Sequence, residues 1–490
     1  MNKIKQLAGQ TAIYGVSSIL ARVLNYLLVP LHTYIFVATD QYGIIGEMYA
    51  YVAFLVVILT YGMETAFFRY SELENDRNSV FTTTFISLLV SSSVFVTLAI
   101  IFSQPIADML RYPNNSEYVV WFAMIVSLDA VTAAPFAKLR AEKRAKRFAF
   151  IRIANIAVYI ILNLFFLVLC PYLHENNILP GIVDVIYRGE VGVGYVFISN
   201  LIASIVQFIL LLPEMVNMKS RFDPALWRKM IVYALPLLIF GLAGIVNETI
   251  DRILIKYLLP EDMAMSQVGI YSACYKISII IYMFIQAFRY AAEPFFFAQA
   301  KEQDAKTVYA DVMKYMIIIV SFIFLATLLY LPVIQYFISE NYREGLKIVP
   351  ILLMAYVFVG VSYNLSIWYK LTNQTKFGAY LAISGAIITL IMNFWLIPVI
   401  GYMGSAWATF TCYLLMMIAS YMLGQKYYPV KYDLKNIFLY LVLALALYFL
   451  STFTATDSMT ITLLINTAIL LVFVIIVYKR EDLRGLILRK

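Results

Sequence analysis

Charged side chains interrupt a long apolar run near the middle of this 490-residue chain. In "NETIDRILIKYLLP", residues 247–260, Glu248, Asp251 and Arg252 stand within a segment long enough to cross a membrane. A charge at the centre of a bilayer costs about 2.5–3.5 kcal/mol on insertion scales, so such residues indicate function. The planar guanidinium of Arg252 suits an anion, because it donates two parallel hydrogen bonds to phosphate oxygens.

A second interpretation of this segment is structural. Glu248 and Arg252 stand four residues apart, as do Asn247 and Asp251, so the members of each pair share one face of a helix. The set then neutralises itself in the wall of a cavity and needs no ligand. Both interpretations are open at the level of the sequence.

Further polar residues lie within apolar runs in both halves of the chain. The predicted lining of a substrate cavity is Arg22, Asn25, Asn247, Glu248, Asp251, Arg252, Lys276 and Arg289. For Arg289 the alternative is an interfacial ion pair with Glu293, four residues later. The spacing of cysteines, histidines and carboxylates predicts no metal site, no catalytic group and no cofactor.

Two carboxylates, Asp129 and Glu64, are candidates for the coupling ion of a transporter, because a buried carboxyl group takes up a proton more readily than an exposed one. Glu64 has a structural alternative, since Arg69 and the inner interface are close in sequence. We expect Glu47 to be solvated near the outer surface.

The elements that position these residues are predicted membrane helices. Hydrophobic residues make up 62% of the chain and charged residues 13%, which excludes a large soluble protein. The apolar runs are continuous rather than alternating, so they predict helices and not a barrel. We predict fourteen spans, centred near residues 22, 56, 91, 128, 160, 201, 245, 281, 319, 357, 387, 413, 445 and 469.

Basic residues alternate across these spans as the positive-inside rule requires. Both termini are therefore predicted to be cytoplasmic, and the net charge of +8 is assigned to anionic lipid head groups rather than to nucleic acid. The predicted inner clusters are Lys138, Arg140, Lys143, Arg144, Lys146, Arg147 and Arg152; Lys219, Arg221, Arg228 and Lys229; and Lys479, Arg480, Arg484, Arg489 and Lys490. The predicted outer loops hold Arg111, Arg188, Lys256, Arg343 and Lys347.

An internal repeat divides the chain. Overlaying Tyr14 on Phe240 aligns, without a gap, Gly15 with Gly241, Gln41 with Gln267, Gly43 with Gly269, Ile44 with Ile270 and Tyr49 with Tyr275. A later echo pairs "NLF" at Asn163 with "NFW" at Asn393, and each is followed by a glycine-containing start of the next span. Six spans separate the copies, which predicts parallel repeats with the substrate site between them. The predicted lobes are residues 1–215 and 216–436, and residues 437–490 add two accessory helices and a tail.

The chain resembles one particular family in "PLLIFGLAGIVNETIDRILIKYLLP", "VGIYSACYKI" and "FRYAAEPFFF". With "YGVSSILARVLNYLLVPLHTYIF" and "KLRAEKRAKRFA", these segments resemble the Wzx-type flippases. These belong to the polysaccharide-transporter branch of the multidrug/oligosaccharidyl-lipid/polysaccharide exporter superfamily. The resemblance extends over essentially the whole chain.

The resemblance implies an all-α membrane fold of two V-shaped six-helix lobes with two accessory helices. It also implies a substrate, an oligosaccharide linked through pyrophosphate to a polyprenol, which alternating access moves across the bacterial inner membrane. Partners of such a flippase are membrane lipids, glycosyltransferases and a glycan polymerase. Given such a substrate, Arg22, Lys276 and Arg252 are the expected head-group contacts.

Three other functions compete with this one. An ion-coupled multidrug exporter shares the fold, but it favours acidic cavity groups over arginine and lysine. A membrane glycan polymerase or ligase needs a sizeable outer loop, and none is predicted. A scaffold for a synthesis complex is the remaining alternative.

Overall fold

The computed structural model describes residues 20, 22–74, 76–216, 220–300, 302–454 and 456–481. These residues contain helices and turns but no β-strand. Thirteen helices or continuous helical runs among them are long and apolar enough to cross a membrane. The thirteen predicted span centres from residue 56 to residue 469 all fall inside these runs. The span predicted near residue 22 lies partly outside the described residues. The multi-pass helical fold predicted from the apolar runs is confirmed.

The chain forms two compact units, residues 1–253 and 254–490. One helix, Pro224–Leu258, runs through the boundary between them. The lobe boundaries that the repeat suggests, at residues 215 and 436, stay a prediction, as does the V-shaped arrangement.

In the first unit, residues 22–26 are helical, and ten further α-helices and the first part of another follow among the described residues. In chain order they are α1 (Leu28–Ile35), α2 (Thr39–Thr60), α3 (Met63–Leu73), α4 (Arg77–Ile101), α5 (Ser103–Met109), α6 (Ser116–Ala141), α7 (Ala145–Leu164), α8 (Cys170–Glu175), α9 (Pro180–Ile186), α10 (Gly194–Val216) and α11 (Pro224–Leu258). The central helix is α6, which packs against α2, α4 and α10, while α7 packs against α10.

The second unit repeats this order. After the end of α11 come α12 (Glu261–Gln299), α13 (Ala305–Leu329), α14 (Leu331–Ile334), α15 (Val349–Leu365), α16 (Ile367–Leu371), α17 (Lys376–Ile400), α18 (Tyr402–Tyr427), α19 (Leu434–Phe453) and α20 (Met459–Arg480). Here α15 is central and packs against α12, α13 and α18, while α17 packs against α18. These four helix pairs of one unit therefore have counterparts in the other, which supports the repeat read from the sequence.

The turns that precede α10 and α18 also match. Gly192 has φ +48° and Gly401 has φ +59°, a conformation that L side chains rarely adopt. Glycine reaches this conformation without the clash that a Cβ atom causes. The two glycine-containing segments that the repeat aligns thus turn the chain with the same type of backbone conformation, a positive φ.

An apolar cluster joins the helix ends of the first unit that are predicted to lie on the cytoplasmic side. Buried side chains of α3, α4, α6, α7 and α10 pack there with Leu226, Met230 and Ala234 at the start of α11.

Before α4, Asp76 accepts hydrogen bonds from the Asn78 N–H and from the Ser220 hydroxyl, both at 2.9 Å. These bonds, the Ser220 bond first, hold the pKa of the Asp76 carboxyl below its usual value. The carboxylate is thus fixed as an N-cap of α4.

The accessory helices α19 and α20 both pack against α13. Lys314 on α13 forms a 2.7 Å ion pair with Glu481, just after α20, and Tyr440 on α19 donates to the same carboxylate at 2.5 Å. One largely buried carboxylate therefore joins all three helices.

Candidate functional site

The segment that interrupts the apolar run lies inside α11. Arg252 is only 7% exposed, and its Nη1 donates to Asp251 Oδ1 at 3.0 Å and to the Glu248 carbonyl at 3.3 Å. Asn247 and Asp251 are buried as well. Arg252 thus has a close carboxylate partner in its chain neighbour Asp251. It also contacts the backbone of Glu248, the residue four positions earlier that the sequence suggested as its partner. Lys256 is only 2% exposed within the same helix, so its assignment to an outer loop is wrong.

A second polar cluster lies in the first unit around Asp129 on α6. The carboxylate is influenced by the side chain of Ser204 on α10 and by the charge of Arg152 on α7. Arg152 also interacts with the charge of Arg22. Two predicted site residues, Asp129 and Arg22, thus each interact electrostatically with Arg152, which lies in a third segment. Two guanidinium groups and one carboxylate leave this cluster with an excess of positive charge.

Tyrosine and amide side chains extend the cluster. The hydroxyl of Tyr49 on α2 is 3.3 Å from the hydroxyl of Tyr159 on α7, and it accepts a 2.8 Å hydrogen bond from Asn200 Nδ2 on α10. Tyr49 also interacts electrostatically with Asp129. Four helices, α2, α6, α7 and α10, therefore supply hydrogen-bonding groups to one region of the unit.

Arg152 is the functional candidate that sequence reasoning missed, because it was counted with the inner basic loop. It lies seven residues into α7, about 10 Å along the helix axis. Its guanidinium carbon is 4.1 Å from the centre of the Phe136 ring. A lone arginine in the apolar stretch "FAFIRIANIAVYIILNL" was the signal in the sequence that indicated a membrane position.

The other coupling candidate, Glu64 on α3, forms an ion pair with Arg140 near the end of α6. The neighbour that the sequence suggested, Arg69, instead places its guanidinium carbon 4.3 Å from the centre of the Tyr233 ring. Glu64 therefore has a structural partner that its place in the sequence did not indicate. Its role in coupling stays a prediction.

In the second unit, Arg289 on α12 lies 4.0 Å from Glu293, between Arg289 Nε and Glu293 Oε2. Lys370 on α16 is closer to that carboxylate, at 2.7 Å. Lys276, also on α12, is partly buried. The structure thus provides the Arg289–Glu293 contact that was the alternative to a cavity role.

Arg22 and Asn25 are largely uncovered by protein, unlike Arg252. The repeat aligns Arg22 with Glu248, and a gate between these two residues stays a prediction.

Glu47 on α2 corrects a further expectation. Its side chain is fully buried rather than solvated, and it accepts a hydrogen bond from the hydroxyl of Tyr112, which follows α5. The turn after the short helix α5 therefore covers this part of α2, which the apolar runs alone cannot show.

The basic inner loop is anchored within its own unit. Glu214 on α10 is only 3% exposed and contacts Arg144 at 3.1 Å and Arg147 at 2.7 Å. The Nζ of Lys138 donates to the backbone carbonyl of Glu214 at 3.3 Å. Part of the positive charge of this loop is thus neutralised by a buried carboxylate, in addition to the predicted contact with head groups.

Comparisons with known proteins identify the family and the fold of the chain. The family model described as "Polysaccharide biosynthesis protein" matches residues 7–299. A structure of "Lipid II flippase MurJ, inward closed conformation" is similar with a TM-score of 0.73 and 14% identity, over 96% of this chain and 100% of that one. No curated protein sequence matches the chain.

Two multidrug transporter structures are also similar. An inward-facing multidrug resistance MATE family transporter of the MOP superfamily has a TM-score of 0.62 and 13% identity, over 82% of this chain and 93% of that one. The MATE multidrug transporter DinF-BH has a TM-score of 0.60 and 16% identity, over 89% and 96%. The fold is therefore that of the MurJ and MATE transporters, and the predicted resemblance to Wzx-type flippases is confirmed. The chain belongs to the polysaccharide biosynthesis protein family, whose model covers more than half of it.

Proposed function

We propose that the protein is a flippase for oligosaccharide linked through pyrophosphate to a polyprenol. It moves this lipid from the inner to the outer leaflet of a bacterial inner membrane by alternating access, for synthesis of O-antigen, capsule or exopolysaccharide. Membership of a polysaccharide biosynthesis family and similarity to a structure described as a lipid II flippase support the proposal.

The observation that carries this proposal is the excess of positive charge in the polar cluster of the first unit. Among these described residues, Arg22 and Arg152 carry two positive charges and Asp129 carries one negative charge. They lie in membrane helices and in the segment before them. In a medium of low dielectric constant, uncompensated cationic groups strongly favour an anion over a cation. A pyrophosphate is a compact anion with many acceptor oxygens, which is the ligand that guanidinium groups bind best.

The same observation separates the flippase from an ion-coupled multidrug exporter of the same fold. Attraction of an organic cation requires an excess of acidic groups, and this cluster has the opposite balance. A glycan polymerase or ligase is less favoured, because the described residues between α8 and α10 form only short helical segments. Glycosyltransferases and a polymerase remain the proposed partners that supply and consume the lipid-linked glycan.

A reconstituted transport assay tests the proposal. The purified protein is placed in liposomes that contain a fluorescent polyprenyl-pyrophosphate oligosaccharide, and the exposure of the glycan to an added lectin or glycosidase is followed with time. We expect transfer of this lipid between leaflets and no accumulation of a cationic dye under an imposed proton or sodium gradient. Dye transport without lipid transfer favours the exporter and contradicts the flippase.

A further inference from the structure

The repeat is interrupted between α7 and α10. Residues 164–191 lie between the aligned Asn163 and Gly192, whereas only residues 394–400 lie between the aligned Asn393 and Gly401. The first unit therefore holds additional chain, which contains the short helices α8 and α9 and which we call the α8–α9 segment (residues 170–191). The charge pattern of the sequence assigns this end of α7 to the outer side of the membrane.

The helix that leads to this segment is long enough to place it at the membrane surface. The helical run Ala145–Glu175 holds 31 residues, which corresponds to about 46 Å along its axis. The hydrocarbon core of a bilayer is about 30 Å thick, and about 40–45 Å with the head-group regions. Because Lys146 and Arg147 mark the start of the run as cytoplasmic, its other end reaches the opposite head-group region.

Aromatic stacking fixes the α8–α9 segment to the rest of the first unit. The ring of Tyr195 on α10 stacks on Phe166, with ring centres 4.7 Å apart, and on Tyr187, with ring centres 5.3 Å apart. The Arg188 N–H donates to the Tyr195 hydroxyl at 2.6 Å, and the side chain of Val183 on α9 is buried. The segment thus packs on its unit through one side and leaves another side uncovered.

The uncovered side of α9 is apolar. Ile182, Val185 and Ile186 are 59%, 78% and 46% exposed. Their spacing of three and four residues places them on one face of the helix. Asp184 lies on the opposite face, where its carboxylate is 3.1 Å from His174 Nδ1 on α8. The short helix is therefore amphipathic, with its apolar face directed away from the protein.

Leu179, the residue before α9, extends this apolar face in a strained conformation. Its φ of +52° lies in the left-handed region, which residues other than glycine adopt uncommonly. The side chain is 62% exposed, so it gains little packing within the protein that could offset the strain. A partner outside the chain that covers Leu179 accounts for this conformation.

The apolar face also continues a stripe of α7, and this continuity identifies the partner. Ile161, Leu164, Val168 and Tyr172 are all exposed and follow one another at intervals of three or four residues. Within a membrane span, exposed apolar side chains contact acyl chains. The stripe passes from the span into α8 and ends at Tyr172, a residue type that is enriched where the membrane meets water.

We propose that the α8–α9 segment lies on the membrane surface, with the apolar side chains of Leu179, Ile182, Val185 and Ile186 buried between the lipid head groups and the acyl chains. By the charge pattern this is the outer leaflet. Asp184 and His174 lie on the side that faces water. Amphipathic helices bind a lipid interface through their apolar face in this way. The inference does not depend on which substrate the protein transports, so it stands or falls separately from the proposed function.

Nitroxide labels on introduced cysteines test this placement. The full-length variants Ile182→Cys and Val185→Cys are labelled in lipid nanodiscs, and electron paramagnetic resonance measures collisions of the label with oxygen, which concentrates in the bilayer, and with a water-soluble nickel chelate. Ile161→Cys, on the exposed stripe of α7, is the lipid reference, and Glu175→Cys, at the exposed end of α8, is the matched water reference. Cys170, Cys274 and Cys412 are buried, and the labelled wild-type protein gives their background.

We expect the ratio of oxygen to nickel collisions at residues 182 and 185 to exceed the ratio at residue 175 severalfold and to approach the ratio at residue 161. Ratios equal to that at residue 175 place the face in water and overturn the proposal. Low collision rates with both reagents show that protein covers the face, and they overturn it as well.

A tryptophan probe checks the result without a label. The added fluorescence of Ile182→Trp should be quenched when the nanodiscs contain lipids brominated on their acyl chains, whereas that of Glu175→Trp should not. Equal quenching of the two variants contradicts the placement of α9 in the lipid.

Discussion

Asn163 and Asn393 occupy equivalent places in the two units and make the same hydrogen bond. Each is fully buried, and each donates from Nδ2 to the carbonyl four residues earlier, Tyr159 at 2.8 Å and Thr389 at 2.7 Å. Their oxygens also have side-chain partners, His32 for Asn163 and Ser405 for Asn393. The repeat in the sequence thus preserves a buried polar contact as well as apolar character.

Loss of either amide should destabilise the protein. Asn163→Leu and Asn393→Leu each leave a buried side-chain partner, His32 or Ser405, without its hydrogen bond. The expected cost is about 1–3 kcal/mol for each variant, measured as a lower Tm of the purified protein. A similar loss at both sites supports equivalent roles, and an unchanged Tm at either site contradicts them.

The carboxylate of Glu214 should contribute to stability more than any exposed acid near it. Glu214→Gln keeps the shape of the side chain but removes the charge beside Arg144 and Arg147, with an expected cost of about 1–3 kcal/mol. The matched control is Glu142→Gln, whose more exposed carboxylate lies 3.4 Å from Arg144. Such surface pairs contribute about 0–1 kcal/mol. Equal Tm values for the two variants are the result that contradicts this prediction.

The membrane helices were predictable because their signal is local. A run of about 20 apolar residues must cross the bilayer as a helix, whatever its neighbours are. The repeat was predictable for a similar reason, because short identical segments occur in the same order in both halves of the chain. Contacts between helices were not predictable in this way.

Glu47, Asp129 and Glu214 illustrate what the sequence did not contain. Tyr112 bonds Glu47, and Arg152 interacts electrostatically with Asp129, only after segments distant along the chain pack together. Glu214 sits in an apolar span with its arginine partners in another loop, so nothing near it in sequence marked it as a partner. The site was therefore predictable as a set of polar residues within spans, but the pairing among them was not.

Membrane orientation is a separate prediction from the charge pattern. Reporter fusions near residues 145, 220, 303, 430 and 485 should be cytoplasmic, and fusions near residues 180 and 342 should be outside. An external reporter at residue 145 reverses the scheme.

Asp129 is the proposed proton carrier of the first unit. If it exchanges a proton during transport, Asp129→Asn should abolish the pH dependence of lipid transfer without loss of the protein from the membrane. The electrostatic interaction with Arg152 complicates this test, because the single change removes the negative charge that favours the buried guanidinium.

The double variant Asp129→Asn with Arg152→Gln resolves the complication. It removes both charges, so it should restore stability while transfer stays independent of pH. Transfer that keeps the wild-type pH profile in either folded variant rules out Asp129 and favours the membrane potential as the driving force.

Arg252 provides the sharpest test of anion binding in the membrane. If its guanidinium binds the pyrophosphate, Arg252→Lys keeps the charge but loses the two-pronged donor, and Arg252→Ala loses both, so transfer should fall in that order. Hydrogen bonds to charged groups contribute about 1.5–3 kcal/mol, which corresponds to about a ten- to hundredfold loss of binding.

The control for Arg252 follows from its 3.0 Å contact with Asp251. If Arg252 only neutralises Asp251, Arg252→Ala removes the cation beside a buried carboxylate, and the added change Asp251→Ala should recover most of the lost transfer. The pair Arg252→Ala with Glu248→Ala tests the alternative partner four residues away. If Arg252 binds the substrate, neither double variant recovers transfer even when its amount in the membrane returns to the wild-type level. Full recovery in either one makes the role of Arg252 structural, because the cation is then dispensable once its carboxylate is gone.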